Sequence, residues 1–388
     1  MADRMRTTVR ALGELFDGPH ATPVRREEGP YFLNISSLKS GRLDLAESDH
    51  VSAEDFAKWS RRVTPREKDL LFSYETRLGE AALMPEGVQA CLGRRMALLR
   101  PDASVVDPRF LLYLYLSPSF QRTIQKHMIH GATVPRIGLA TMPDWEVEIP
   151  QLPEQQAIAK VLGALDDKIV ANANAAQLAD DLVRAKYEAL AGGSVPLGSI
   201  ATNVRDQVDP KQVPSDTPYV GLEHVPRREM WLSDFETASK VNSAKASFRA
   251  GDVLFGKLRP YFHKVVGAPF SGIASTDILV VRAKRDDLRG IVLAAASSDA
   301  AIAATTASSE GTRMPRTRWA DLAAVEVPWP GDEAARQFSY EVSDLAKWAA
   351  AVSNESRSLT ATRDELLPLL MSGKIRVRDA EKIVEGAL

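Results

Sequence analysis

A chain of 388 residues, 45% hydrophobic and 26% charged, has the make-up of a soluble globular protein of two or three domains. A net charge of −2 excludes a broad electrostatic footprint for nucleic acid and leaves only local basic patches. Cys91, the only cysteine, excludes an intramolecular disulfide or a cysteine-based zinc site. No stretch approaches the ~20 apolar residues of a membrane span, and the first residues lack the apolar core of a signal peptide, so a cytoplasmic protein with no membrane partner is expected.

From the N-terminus, short β-rich runs come first: Tyr31–Ile35 and Asp69–Ser73, each broken by turn residues. Asp107-Pro108 has a cap residue followed by Pro in the first turn, which predicts a helix start and makes Phe110–Tyr115 a buried helix. Trp145–Ile149 alternates as a strand does. Pro150 and Pro153 then open a long stretch to about Ala191 interrupted only by Gly163. Further on come candidate strands at 218–222, 252–255 and 278–282, an Ala-rich helix near 289–305, and a strand at 325–327. Pro328 and Pro330 open a second long helix from Asp332 to about Ser372. At ~1.5 Å per residue these helices run roughly 55–60 Å.

The order of elements is the same twice. Gly131-Ala-Thr-Val-Pro135-Arg136 returns 180 positions later as Gly311-Thr-Arg-Met-Pro315-Arg316, and Asp69-Leu-Leu-Phe-Ser73 as Asp252-Val-Leu-Phe-Gly256. The period is too long for a solenoid and reads as two whole domains, each followed by a long helix. The first helix carries Ile158, Leu162, Leu165 and Ile169 at 3–4 spacing, with Asn172 in the same seam. The second carries Phe338, Leu345, Val352, Leu359 and Leu366 at sevens, with Val342 in the companion row. Such seams pack on another helix. A duplicated chain has pseudo-twofold symmetry, so the expected pair is antiparallel.

Enzyme signatures are missing. The sequence contains no Walker phosphate loop and no His-Glu-x-x-His, and its six histidines are scattered without metal spacing. Asp107-Pro108-Arg109-Phe110 is a poor match to an adenine-methyltransferase loop. The expectation is no catalytic residue and no metal.

Binding chemistry is better represented. Lys257, Arg259, Tyr261, His263 and Lys264 interleave cations with aromatics, and Ser275 and Thr276 follow closely. Cations neutralise phosphates or donate to guanine edges, while hydroxyls contact either. The corresponding stretch of the first repeat offers Ser73, Tyr74, Thr76 and Arg77, and the two glycine segments add Thr133, Arg136, Thr312, Arg313 and Arg316. Arg61-Arg62 and Arg94-Arg95 read as ordinary charged surface. An exposed basic loop with its aromatics in the core is the plain alternative for 255–264.

These residues resemble a known family. The run from Ile149 through Pro150-Gln-Leu-Pro-Glu-Gln to Leu165-Asp-Asp-Lys-Ile169 resembles the proximal conserved helix of type I restriction–modification specificity subunits. Gly251–Tyr261 with Ser275-Thr-Asp-Ile278 resembles the core of a target-recognition domain of that family. The resemblance implies an α+β fold with two recognition domains in pseudo-twofold duplication, at 1–150 and 192–330. They are joined by long antiparallel spacer helices at 151–191 and 331–375, with a tail at 376–388. It also implies a non-catalytic role. Each domain reads one half of a split site on double-stranded DNA, and the helices set the gap and dock two methyltransferase subunits. Those partners use S-adenosylmethionine; a restriction subunit that can join them uses Mg and ATP; this chain binds no cofactor. The first domain departs from the pattern in lacking Lys-Leu-Arg-Pro and Ser-Thr-Asp, and the second helix opens on Gly331-Asp-Glu in place of Pro-Glu-Gln. The other reading of the residues is a two-domain protein-binding adaptor with a helical dimerisation arm.

Overall fold

The computed structural model describes residues 4–19, 23–39, 41–129, 134–308 and 314–388. The chain divides into two compact α+β units, one made of 1–168 with 358–388 and the other of 169–357.

The first unit centres on a four-stranded sheet in the order Gly13–Asp17, Met96–Pro101, Leu70–Ser73, Ala81–Leu83. Met96-Ala-Leu-Leu99 and Leu70-Leu-Phe-Ser73 are buried on both faces, as continuous apolar runs at the middle of a sheet must be. Beside it Arg26–Leu33 pairs in parallel with Ala90–Leu92. The expected helix is Pro108–Leu116: the Asp107 carboxylate accepts from the Phe110 N–H at 2.9 Å, and Phe110 to Tyr115 are all buried. Ser117 ends it and caps the next helix, Pro118–Lys126.

The second unit repeats this plan. Its four-stranded sheet runs Ala201–Val204, Ile278–Ala283, Val253–Gly256, Val265–Gly267. Pro218–Val220 pairs in parallel with Gly272–Ala274, within a five-stranded sheet where the first unit has three strands. The single Ala-rich helix expected near 289–305 is two helices, Arg289–Ala296 and Asp299–Ala307. Ser298 breaks it: its hydroxyl caps the second helix by accepting from the Ala301 N–H, an arrangement that competes with helix continuation.

One pair of side chains recurs in both units and was not read from the sequence. Asp69 accepts the Arg100 guanidinium at 3.0 and 2.8 Å, and Asp252 accepts that of Arg282 at 2.8 and 2.7 Å. The second oxygen of each Asp also accepts a backbone N–H, from Arg66 and Arg249. Both carboxylates are buried. The pair clips the start of one central strand to the end of its neighbour.

The long helices are Leu152–Glu188 and Asp332–Met371. In the first unit Ile158, Leu162, Leu165, Leu359 and Leu366 are buried. In the second, Ile169, Phe338 and Val342 are buried, while Leu345 and Val352 are half-buried. Within that unit Lys186 pairs with Glu341 at 2.6 Å, and Asn172 donates to Glu355 at 2.8 Å and to Ser356 at 3.2 Å. Rising numbers meet falling numbers, so the helices run antiparallel. Phe338 and Val342 also belong to the domain core with Ile291 and Val292. Gly290 permits that contact, since a Cβ there would lie 2.6 Å from the Ser339 Cα. The seam therefore serves both the partner helix and the domain.

In the first unit the motif residues are anchors. Buried Gln155 accepts from the Asp107 N–H and donates to the Val105 and Pro150 carbonyls. Asp166 accepts from the Tyr113 hydroxyl at 2.6 Å and from Arg363 of the second long helix at 2.8 Å. Arg109 donates to Asp167 and to the Gly163 carbonyl, over a helix surface that any side chain at 163 would obstruct. Residues expected as a tail are a further helix, Val377–Ala387, with Ala380 and Val384 buried. Arg4 caps the end of the second long helix by donating to the Leu370 and Met371 carbonyls.

Candidate nucleic-acid interface

The central strand Val253–Gly256 runs straight into the candidate loop. Arg259 donates its N–H to the Pro315 carbonyl at 2.9 Å, Thr317 donates to the Lys257 carbonyl at 3.0 Å, and Leu258 bridges Arg316. These bonds fasten the loop to the segment after the second glycine motif. Arg259 and His263 both lie in the left-handed region, with φ of 53° and 51°, and bracket the short turn Pro260–Phe262. Backbone strain of this kind costs of order 1–3 kcal/mol per residue and persists where the surroundings over-determine it. Here buried His263 is held by Nε2 against the Ser297 carbonyl at 2.7 Å.

The turn presents Tyr261, half exposed, against Phe262 at 4.8 Å between ring centroids. Arg227 stacks over Phe262 at 4.4 Å and Arg259 at 5.9 Å. Arg259, Arg316 and Thr276 are exposed, and Lys257 and Ser275 half-buried. Asp277 accepts from Arg316 at 3.2 Å. Burial pushes the Lys257 ammonium below its ordinary range; Asp277 opposes this and Arg316 adds to it. The result is a cationic surface containing one carboxylate, able to donate to guanine or phosphate oxygens and, at Asp277, to accept from a cytosine amine.

The first unit builds the same frame from different side chains. Thr76 donates its N–H to the Pro135 carbonyl at 2.9 Å, Ile137 to the Tyr74 carbonyl at 3.0 Å, and Glu75 bridges Arg136. Thr76 thus stands where the second unit has Arg259, with φ of 74°, Glu75 where it has Leu258, and Arg136 where it has Arg316. Gly79, at φ 89°, stands where His263 does. Glu75 pairs with Arg95 at 3.0 Å, leaving Thr76 and Arg136 as the exposed members of the expected set.

Several expected contact residues are turned inward. Ser73 is fully buried and donates to the Glu75 carbonyl at 2.7 Å; Tyr74 is 9% exposed; His263 is 3% exposed. Their polar or aromatic groups are used within the core and leave the contact set. Arg77 donates to the Ile35 and Ser36 carbonyls, and Lys264 to the Leu222 carbonyl at 2.7 Å, so both are occupied in fixing loops. Thr133, Thr312 and Arg313 lie outside the described residues. Arg227 was not among the expected contacts, whereas Asp277 directly follows the expected Ser275 and Thr276. Asp277 had a signal in Ser-Thr-Asp; Arg227 had none, because its partner ring is 35 positions away. Among the described residues there is no cluster of metal-ligating side chains, and no single helix is long and apolar enough to cross a membrane.

Residues 26–178 match the type I restriction modification DNA specificity domain. A putative type I restriction enzyme MjaX specificity subunit of Methanocaldococcus jannaschii is 25% identical over 175 residues, 42% of this chain and 40% of that protein. The type I restriction enzyme EcoDI specificity subunit of Escherichia coli is 28% identical over 138 residues, 35% of this chain and 30% of that protein. The matches thus span less than half the length of these relatives. A crystal structure of a type I restriction–modification S subunit from M. genitalium shares the fold, at a TM-score of 0.53 over 95% of this chain and 96% of that one, with 17% identity. The resemblance to type I specificity subunits read from the sequence is borne out by these matches, and so is the α+β architecture with two long helices.

Proposed function

We propose that this chain is the non-catalytic DNA-recognition subunit of a type I restriction–modification complex. Its domains at 1–150 and 192–330 each read one half of a bipartite duplex site. The helices at 151–191 and 331–375 fix the gap and dock two methyltransferase subunits, which supply S-adenosylmethionine chemistry; a restriction subunit, where one is present, uses Mg and ATP. The observation that carries this reading is the twice-built frame, in which one backbone arrangement displays two different side-chain sets, as two half-sites require. Base edges are met by Arg259, Arg316, Lys257 and Thr276 in one domain and by Thr76 and Arg136 in the other. Tyr261 contacts a base face or a thymine methyl.

The test is single-molecule methylation sequencing of DNA from cells carrying this chain, with and without its methyltransferase partner. A split adenine-methylated motif with a fixed unspecific gap, present only when both are supplied, is the expected result. Absence of any new motif with a demonstrably active partner would sink the reading in favour of a protein-binding adaptor. Inserting four residues after Ile169 is expected to change the gap and leave both half-sites intact; an unchanged gap removes the helices as the ruler.

A further inference from the structure

The first unit's sheet ends beside a second set of cations that the candidate loop does not use. The helix Ala53–Trp59 and the turn after it place Lys58, Trp59, Arg61 and Arg62 along an open groove of about 520 Å³, faced by Asp17 and Gly18. Strand pairing puts this groove at the same end of the sheet as the loop. Ala97 pairs with Asp17 and Met96 with Ser73, while Gly18 donates to the Met96 carbonyl and Tyr74 to the Arg95 carbonyl. Gly18 is needed for that closeness: a Cβ would sit 2.7 Å from the Gly93 oxygen and 2.8 Å from that of Met96. Arg94 is exposed on the turn that joins Ala90–Leu92 to Met96–Pro101.

The charge in the groove is one-sided. Asp17 is the one acid lining it, and Arg62 engages both its oxygens at 2.6 and 2.7 Å. Among the described residues no ion pair engages Lys58, Arg61 or Arg94. Lys58 lies 5.2 Å above the Trp59 ring, and the Trp59 Nε1–H is buried with no hydrogen-bond partner among the described residues. Cations left without a carboxylate partner point to an anion that arrives with a ligand.

We infer that this groove seats DNA-backbone phosphates: Lys58, Arg61 and Arg94 neutralise phosphodiester oxygens flanking the bases met by the Thr76–Arg136 loop. It rests on the DNA-recognition reading and adds to it a division of labour in the first domain, where a reading loop poor in cations is held on the duplex by a separate clamp. Phosphate contacts position a protein without carrying sequence information.

The test uses the full chain in complex with its methyltransferase partner, and duplexes carrying either the methylated motif or a scrambled version. Affinity is measured by fluorescence anisotropy across a salt series for wild type and for the triple variant Lys58→Gln, Arg61→Gln, Arg94→Gln. The expected result is equal weakening on both duplexes, an unchanged methylated motif, and a log–log salt slope shallower by about 0.9 for each phosphate no longer neutralised, about 2.7 in all. An unchanged slope in a variant that melts like wild type overturns the inference, as does a changed motif. If the triple variant melts early, Arg61→Gln and Arg94→Gln singly must each lower the slope by about 0.9, and failure of either overturns it. A wild-type complex whose DNA binding is absent or insensitive to salt overturns the recognition reading as well, which separates the two failures.

Discussion

The loop after Leu70–Ser73 and the loop after Val253–Gly256 are hung from the same backbone bonds and carry nearly opposite chemistry. In each, a left-handed residue donates to the carbonyl of a Pro before an exposed Arg, at 2.9 Å in both cases. Around that frame one loop has Glu75 and Thr76, the other Leu258 and Arg259. The first uses Gly79 to turn the chain; the second uses His263 and holds it with a buried ring. The lesson is where variation is tolerated. Backbone bonds and the buried Asp–Arg clip are kept, because losing them exposes unpaired polar groups, whereas side chains facing outward can be exchanged without disturbing the support.

The largest test of that comparison is the clip itself. Asp252→Ala leaves Arg282 and the Arg249 N–H without their acceptor, and Asp69→Ala does the same to Arg100 and the Arg66 N–H. Removing one partner of such a pair costs about 3–5 kcal/mol. Denaturant unfolding should show similar losses for both variants; a loss in one alone would break the claim of a shared frame.

Next come the outward side chains. Arg316→Ala or Arg259→Ala should reduce discrimination by about 1–3 kcal/mol at one half-site only, and Arg136→Ala should act on the other half-site only. Methylation profiles of the three variants decide this. Any variant that relaxes both halves contradicts the assignment of one loop to one half-site.

Smaller again is a pH effect confined to the second loop. Burial pushes His263 below its ordinary value, aided by Arg184 and Arg228 and opposed by the Ser297 carbonyl and Asp299. The unfolded chain therefore takes up the proton first. The stabilising contribution is complete above the ordinary imidazole value and is lost as pH falls below it. Melting of wild type from neutral pH to about pH 5 should show this component, and His263→Gln should flatten it. An identical pH dependence in both proteins would mean that the ring titrates as it does in water. The smallest effect expected is from Thr76→Ala, well under 1 kcal/mol in stability because the side chain is exposed.

Much of the architecture was legible in the sequence, for physical reasons. The duplication preserved the Pro-Arg segments and the strand starts, and helix seams declare themselves through 3–4 spacing. Buried Phe110–Tyr115 followed from an Asp cap, a Pro and an apolar run. The loop residues were harder. Ser73, Tyr74 and His263 sit among contact-type residues in sequence, yet a strand covered on both faces buries the first two and the left-handed turn buries the third. Such burial depends on bonds to Glu75 and Ser297 that no local pattern announces. The Asp69–Arg100 and Asp252–Arg282 clips were hidden for the same reason: both members were visible, but their meeting depends on strand register. The Ser297-Ser298 break inside an Ala-rich stretch was missed because Ala propensity outweighs a single cap on paper, and the hydroxyl bond wins in the fold.

The division of the chain has a temporal consequence. The second unit is one uninterrupted segment, 169–357, whereas the first is closed only when 358–388 joins 1–168. During synthesis the earlier-made globule must wait, with Asp166 lacking Arg363 and the end of the second helix not yet there for Arg4 to cap, until some two hundred further residues have emerged. The later-made unit has all its parts first. Order of manufacture and order of completion are thus reversed: the last residue of the second unit is made before the segment that closes the first.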